Sequence, residues 1–226
     1  MPIPSLRPNF VPQIQAALER LYADALQTDP DVRRAAQEFG LINESDPGFY
    51  EAMSQAYLPV TPDFGSLLYM IVRMTRARSV VEFGMSFGIS TIHLAAALRD
   101  LGGGKVIATE FIPAKADQAR RNLAAAGLDE WVEIRVGDAR DSLRLELPDQ
   151  IDVLFLDGPK HQYFEILKLL EPRLASGGIV VSDNSEMKGA ENYMRYIRTP
   201  ENGFIGCSID TSVMDYHLRH EIIMKR

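Results

Sequence analysis

The stretch SVVEFGMSFGIS at residues 79–90 decides how the rest of the chain is read. Val80, Val81 and Phe83 make an apolar run the length of one strand, Gly84 and Gly88 bracket a loop, and Ser90 opens a stretch, 90–101, with helical patterning. Working outward, the same alternation recurs. Runs KVIATE at 105–110, VEIRV at 132–136, IDVLFLD at 151–157 and IVVSD at 179–183 read as strands. Helical stretches separate them, at 113–126 closed by Gly127, briefly after Asp138, and at 163–174 ahead of Gly177 and Gly178. Continuous apolar strands alternating with helices imply a doubly wound, mostly parallel α/β sheet covered on both faces. Two late runs, 204–209 and 221–224, have no long helix between them and are expected to pair as an antiparallel hairpin at one edge.

On the N-terminal side, residues 1–58 read as a helical lead-in with helix-like stretches at 12–26, 30–39 and 48–57. Pro30 and the turn-rich 43–48 separate those stretches. A further helix carries Phe64, Leu67, Leu68, Ile71 and Val72 on one face, with Thr61, Pro62 and Asp63 as its start signal. The expected organisation is a helical segment at 1–58 and a single α/β domain at 59–226.

Composition narrows the classes. With 46% apolar and 24% charged residues the chain can bury a core, and neither a repeat nor a low-complexity tract interrupts it. No apolar run approaches the roughly 20 residues that span a bilayer, and the start lacks a signal-peptide core, so no membrane partner and a soluble, cytoplasmic protein are expected. A lone cysteine, Cys207, excludes an intrachain disulfide and a thiolate zinc site, and reads as a small buried residue. A net charge of −7 gives no broad attraction to phosphate backbones, which ranks nucleic acid low as a partner.

In an open doubly wound sheet, ligands bind beyond the carboxyl ends of the strands. Each run here ends at or next to an acid: Glu82, Glu110, Asp138, Asp157 and Asp183. The loop after the first run holds Ser86 and Ile89 where a pyrophosphate-binding turn needs glycines, which disfavours a dinucleotide. Glu110 can accept from both hydroxyls of a ribose and Asp138 from an adenine amino group, a pattern that points to S-adenosylmethionine. The bland alternative is that Gly84 and Gly88 serve a tight turn and Glu110 is a solvated strand-end acid.

Neighbouring strands lie about 4.8 Å apart, so if the fourth and fifth runs pair, Asp157, Asp183 and Asn184 meet near one point. Three oxygen ligands without histidine or thiolate favour a hard cation, magnesium above all. Taken singly, strand-end aspartates also cap turns; the combination with Lys160 three residues after Asp157 is much rarer. His217 and His220, His161 and His93 carry weaker signals, and His217 and His220 are expected to occupy different environments rather than to bind a metal. Met85 and Phe87 are candidates to touch the cofactor or to pack beneath the sheet.

VVEFGMSFGIST, VIATE, DGPKHQY, GGIVVSDN and the segment 60–65 together resemble the magnesium-dependent S-adenosylmethionine O-methyltransferases of the catechol and caffeoyl-CoA type. The resemblance runs from about Val60 onward and leaves 1–58 unassigned. It implies Asp157, Asp183 and Asn184 as metal ligands, Lys160 as catalytic base, and Val60, Glu82, Gly84, Ser90, Glu110, Asp138, Ala139 and Asp157 around the cofactor. Residues 212–216 resemble the stretch where catechol methyltransferases hold the second substrate hydroxyl with a glutamate; Asp215 stands there. A tryptophan of the catechol pocket is missing, its loop being Gly158-Pro159.

The chemistry expected on this footing is methyl transfer to one hydroxyl of a catechol-like small molecule, with Lys160 taking the hydroxyl proton beside a magnesium ion. Two other readings stand beside it: the same chemistry on a hydroxylated nucleoside of transfer RNA, and a non-catalytic S-adenosylmethionine-binding scaffold. A homodimeric state is left open.

Overall fold

Apolar runs that alternate with helices zip into one sheet here. β1 (Ser79–Phe83), β2 (Lys105–Glu110), β3 (Val132–Val136), β4 (Ile151–Leu156) and β5 (Leu174–Ser182) are parallel. The hairpin β6 (Phe204–Val213) and β7 (Tyr216–Lys225) joins the β5 edge antiparallel, with β7 inserted between β5 and β6. The order is β3-β2-β1-β4-β5-β7-β6. This computed structural model describes residues 8–41, 46, 48–213 and 216–226, with the backbone alone at 212, 213, 216 and 217. No helix among the described residues is long and apolar enough to cross a membrane.

The central strands read as continuous apolar runs because both sheet faces are covered: Val80, Val81, Val153, Leu154, Phe155 and Leu156 are fully buried. One face packs against α1 (Pro12–Glu38), α3 (Pro62–Thr75), α4 (Ile89–Asp100) and α5 (Pro113–Ala126). The other packs against α6 (Ala139–Ser142), α7 (Tyr163–Leu170) and α8 (Glu191–Arg198). Helix starts and stops follow local chemistry. Thr61 accepts from the Phe64 N–H at 3.1 Å to cap α3, and Gly127 closes α5 in the left-handed region at φ 67°. α2 (Phe49–Ala52) runs into a 3₁₀ turn at Met53–Gln55, two residues short of the expected 48–57 stretch.

Two expectations need correction, and a third point is an element that the sequence reading did not supply. Pro30 does not break the first helix; α1 continues through it. The backbone bond that proline removes would reach the carbonyl of Leu26, an exposed residue, where water can serve it. The neighbouring Asp29 is buried and accepts from the N–H groups of Tyr57 and Leu58 at 2.7 and 2.9 Å, which pins this turn of the helix to the domain. Second, Gly177 and Gly178 do not follow a helix end. α7 stops at Leu170, a 3₁₀ turn covers Glu171–Arg173, and both glycines lie inside β5, where the register against β4 shifts between Ile151↔Leu174 and Val153↔Ile179. They serve a bulge. Third, α8 lies in a stretch for which the sequence reading offered no element.

Candidate functional site

Strand order reverses between β1 and β4, and the loops leaving these two strands meet there. Gly84 sits at φ 88°, and a Cβ on it would lie 2.8 Å from the Asp157 carbonyl and from Gly158. Gly158 is confined in turn: a Cβ there would stand 2.5 Å from the Phe83 ring. Both positions thus need glycine for close approach, and Gly84 for its backbone angle as well. The Asp157 N–H donates to the Phe83 carbonyl at 2.8 Å and the Met85 N–H to the Thr109 carbonyl at 2.9 Å, so the loop is tied to strands on both sides.

On the β1–β2 side, Glu110 is buried and its two carboxylate oxygens accept from the N–H groups of Ser86 (2.9 Å) and Ile112 (2.8 Å). Burial pushes its proton affinity up, against the Ile112 N–H and the Lys115 ammonium. Glu82 is fully buried and accepts from Ser90 at 2.5 Å and Thr91 at 2.6 Å; burial pushes its pKa up to about 7. Asp138 caps α6 through the Arg140 N–H at 2.8 Å and is gripped by the Arg140 guanidinium, whose hydrogen bonds hold its carboxyl below the usual range. Val60 and Ala139 are buried, Val60 in the same apolar cluster as Met85 and Ile89.

Sequence reasoning passed over Lys115. Its buried ammonium donates to the Ala56 carbonyl at 2.9 Å and the Ser86 hydroxyl at 3.2 Å, 5.3 Å from the Phe87 ring, and burial lowers its pKa. Tyr57 packs on Phe87 at 4.5 Å, and its carbonyl accepts from the Ser86 hydroxyl. Residues 56–58 are therefore fastened to the glycine-bracketed loop, to α5 and, through Asp29, to α1. A lysine on the inward face of the 113–126 helix was the available signal. Phe87 and Met85 are buried, and Phe111 beside Glu110 is 70% exposed.

On the β4–β5 side the expected pairing holds, with Leu156 opposite Ser182. The Tyr163 hydroxyl stands 2.8 Å from the Leu156 carbonyl and 3.0 Å from that of Asp183, bridging the two strand ends. Asp157 and Asp183 are in side-chain hydrogen-bond contact, and Asp157 is raised well above the usual carboxyl range, by burial first and by Asp183 second. Lys160 is buried, its ammonium 3.7 Å from Asp157 Oδ1, 3.3 Å from the Gly158 carbonyl and 5.1 Å from the Tyr163 ring centroid. Asn184 adopts φ 49°, and its buried Oδ1 has no hydrogen-bond donor among the described residues. Two carboxyls in contact are a donor pair that a hard dication would let ionise together, and the amide oxygen of the adjacent Asn184 is of the type such an ion takes. Among the described residues no three His, Cys, Asp or Glu side chains are grouped to hold a metal.

His220 is the second residue the sequence undervalued. It is buried, with Nδ1 2.9 Å from Asp183 Oδ1 and Nε2 2.7 Å from the Thr211 hydroxyl. His217, as a side chain, and Asp215 lie outside the described residues. His161 is exposed and His93 buried. The expectation that Cys207 is buried is corrected: it is exposed, because β6 is the outer strand of the hairpin.

A methyltransferase-domain family model matches residues 81–185. A catechol O-methyltransferase from Mycobacterium tuberculosis is 33% identical over 146 residues, 62% of this chain and 65% of that protein. A probable O-methyltransferase from the same organism is 31% identical over 170 residues, 71% of this chain and 70% of that protein. The crystal structure of an O-methyltransferase from Bacillus cereus in complex with SAH shares the fold, with a TM-score of 0.74 at 23% identity, over 98% of this chain and 93% of that one. Against several catechol O-methyltransferases the chain spans less than two thirds of their length, 57% to 65%. At 31% identity over 70% of a probable O-methyltransferase, and with catechol and caffeoyl-CoA O-methyltransferases among its relatives, the chain belongs to this O-methyltransferase family.

Proposed function

We propose that this protein transfers a methyl group from S-adenosylmethionine to one hydroxyl of a vicinal dihydroxy aromatic small molecule, with a divalent cation held by Asp157, Asp183 and Asn184. The observation that carries the reading is the meeting of the Asp157 and Asp183 carboxyls with the buried Lys160 Nζ at the β4–β5 ends, next in sequence to Asn184 and beside the switch-point loop. Its relatives' names supply the substrate class.

S-adenosylmethionine brings a sulfonium methyl, and a magnesium-like dication, when bound, lowers the proton affinity of a hydroxyl nearby. The rest falls to this chain. A carboxylate offers about four lone-pair directions, so Glu110 keeps capacity for ribose hydroxyls while holding Ser86 and Ile112. Lys160, in its neutral amine form, takes the hydroxyl proton onto Nζ and becomes the ammonium, and its burial keeps bulk water from competing for that proton. As the new O–C bond forms and the S–C bond breaks, the oxyanion and the sulfonium lose their charges together, a change that a dry site favours.

The test is turnover of labelled S-adenosylmethionine with an unsymmetrical catechol, with and without a chelator. Activity should vanish with the chelator and return with magnesium. Full turnover in metal-free buffer would sink the cation, and no methylation across a panel of dihydroxy aromatics would sink the substrate class.

A further inference from the structure

His220 lies on β7, and the antiparallel pairing of Ser182 with Glu221 brings it beside Asp183, just past the end of β5. Three contacts fix its ring. Phe64 stacks on it with centroids 4.1 Å apart and an interplanar angle of 30°, the Thr211 hydroxyl stands 2.7 Å from Nε2, and Asp183 Oδ1 stands 2.9 Å from Nδ1. The last contact is short but off the line of a well-formed hydrogen bond, and Nδ1 has no hydrogen-bond partner otherwise. A hydroxyl can donate to Nε2, and a carboxylate can only accept, so the tautomer that suits both neighbours has the ring proton on Nδ1 and Thr211 donating to Nε2. The imidazole is 2% exposed, so water does not replace the carboxylate as acceptor.

We infer that His220 is a positioning residue for the cation site: its Nδ1–H engages one oxygen of Asp183 and leaves the other for the ion. The inference rests on the divalent-cation reading given above. Outer partners that orient a metal ligand typically carry 10- to 100-fold in affinity, and here the orienting group is itself locked by stacking and by a hydroxyl. Neither Phe64 nor Thr211 is near a strand-end acid in sequence, so the three act as one brace reaching in from α3 and the hairpin.

Binding of Mn²⁺, followed by the loss of the free-ion paramagnetic signal without any turnover, tests it. His220→Phe keeps a ring to stack on Phe64 and removes the donor; it should bind Mn²⁺ about 10- to 100-fold more weakly while keeping its melting temperature and its affinity for S-adenosylhomocysteine. His220→Asn, whose amide nitrogen falls close to the place of Nδ1, should recover most of the loss. Affinity equal to wild type in His220→Phe overturns the inference, and so does failure of asparagine to recover it, which would leave ring packing as the whole effect. Should the phenylalanine variant not fold, Thr211→Val reads the same brace from its far side: a several-fold loss is expected, and none overturns the inference. A wild-type protein that binds no divalent cation overturns the cation reading and this inference together, whereas tight wild-type binding with no change in the variants overturns this inference alone.

Discussion

Lys160 Nζ lies where the described surroundings offer a carboxyl at 3.7 Å, a carbonyl and a tyrosine ring rather than solvent. If it acts as the base, Lys160→Ala should lower the single-turnover rate by about 10² to 10⁴ with cofactor affinity unchanged, and higher pH should recover part of the rate by ionising more substrate. A loss confined to substrate affinity would reassign it to an electrostatic anchor. Glu82 makes a different prediction. Its folded pKa, about 7, lies above the ordinary 4.5, so its stability contribution is complete below about 4.5 and is lost as pH rises through 7. Relative to Glu82→Gln, the wild type should therefore lose on the order of 3 kcal/mol between about pH 5 and about pH 8, read from urea midpoints; parallel curves would contradict a buried, reluctantly ionised acid. The strand-end acids were legible because each ends an apolar run, and the end of a parallel strand is a place the sequence marks. His220 was not, since its neighbour Asp183 is brought to it by hairpin register, which no local pattern encodes.

Elements were read well wherever local chemistry and tertiary packing agree, as in α5 between Pro113 and Gly127, and poorly where packing overrides it. Pro30 is the clearest case. A proline inside a helix costs about 3 kcal/mol relative to alanine, part of which is offset by a stiffer unfolded chain. The buried face of α1 and the two hydrogen bonds to Asp29 outweigh the remainder. Pro30→Ala should accordingly stabilise the protein by roughly 1 to 3 kcal/mol, seen as a higher urea midpoint with unchanged slope. A lower midpoint would mean that the local bend made by proline is needed to seat Asp29. Gly177 and Gly178 mislead for the opposite reason: glycine past a helix and glycine in a bulge look alike in one dimension, and only the β4 register separates them.

At the scale of the whole molecule, the order of the strands was not legible, yet it decides the chemistry. It places the loop after β1 against the loop after β4 and lets the hairpin reach Asp183 from the far side. α1 joins the same frame by donating from Gln13 to the Ala125 carbonyl at 3.0 Å and from Arg20 to Asn122 at 3.0 Å, so the helical lead-in is fastened to α5 as well as to residues 57 and 58. The interlocking of Gly84 with Gly158 then has a thermodynamic side. Two loops that leave no room for a methyl group between them cannot shift independently, so a molecule settling on one perturbs the free energy of settling on the other. The factor by which S-adenosylhomocysteine tightens a cation must equal the factor by which the cation tightens S-adenosylhomocysteine, and for sites this closely joined a factor of roughly 5 to 150 is expected. Calorimetric titrations around the closed cycle measure it from both directions, and a factor of one would mean that the contact yields where it looks rigid.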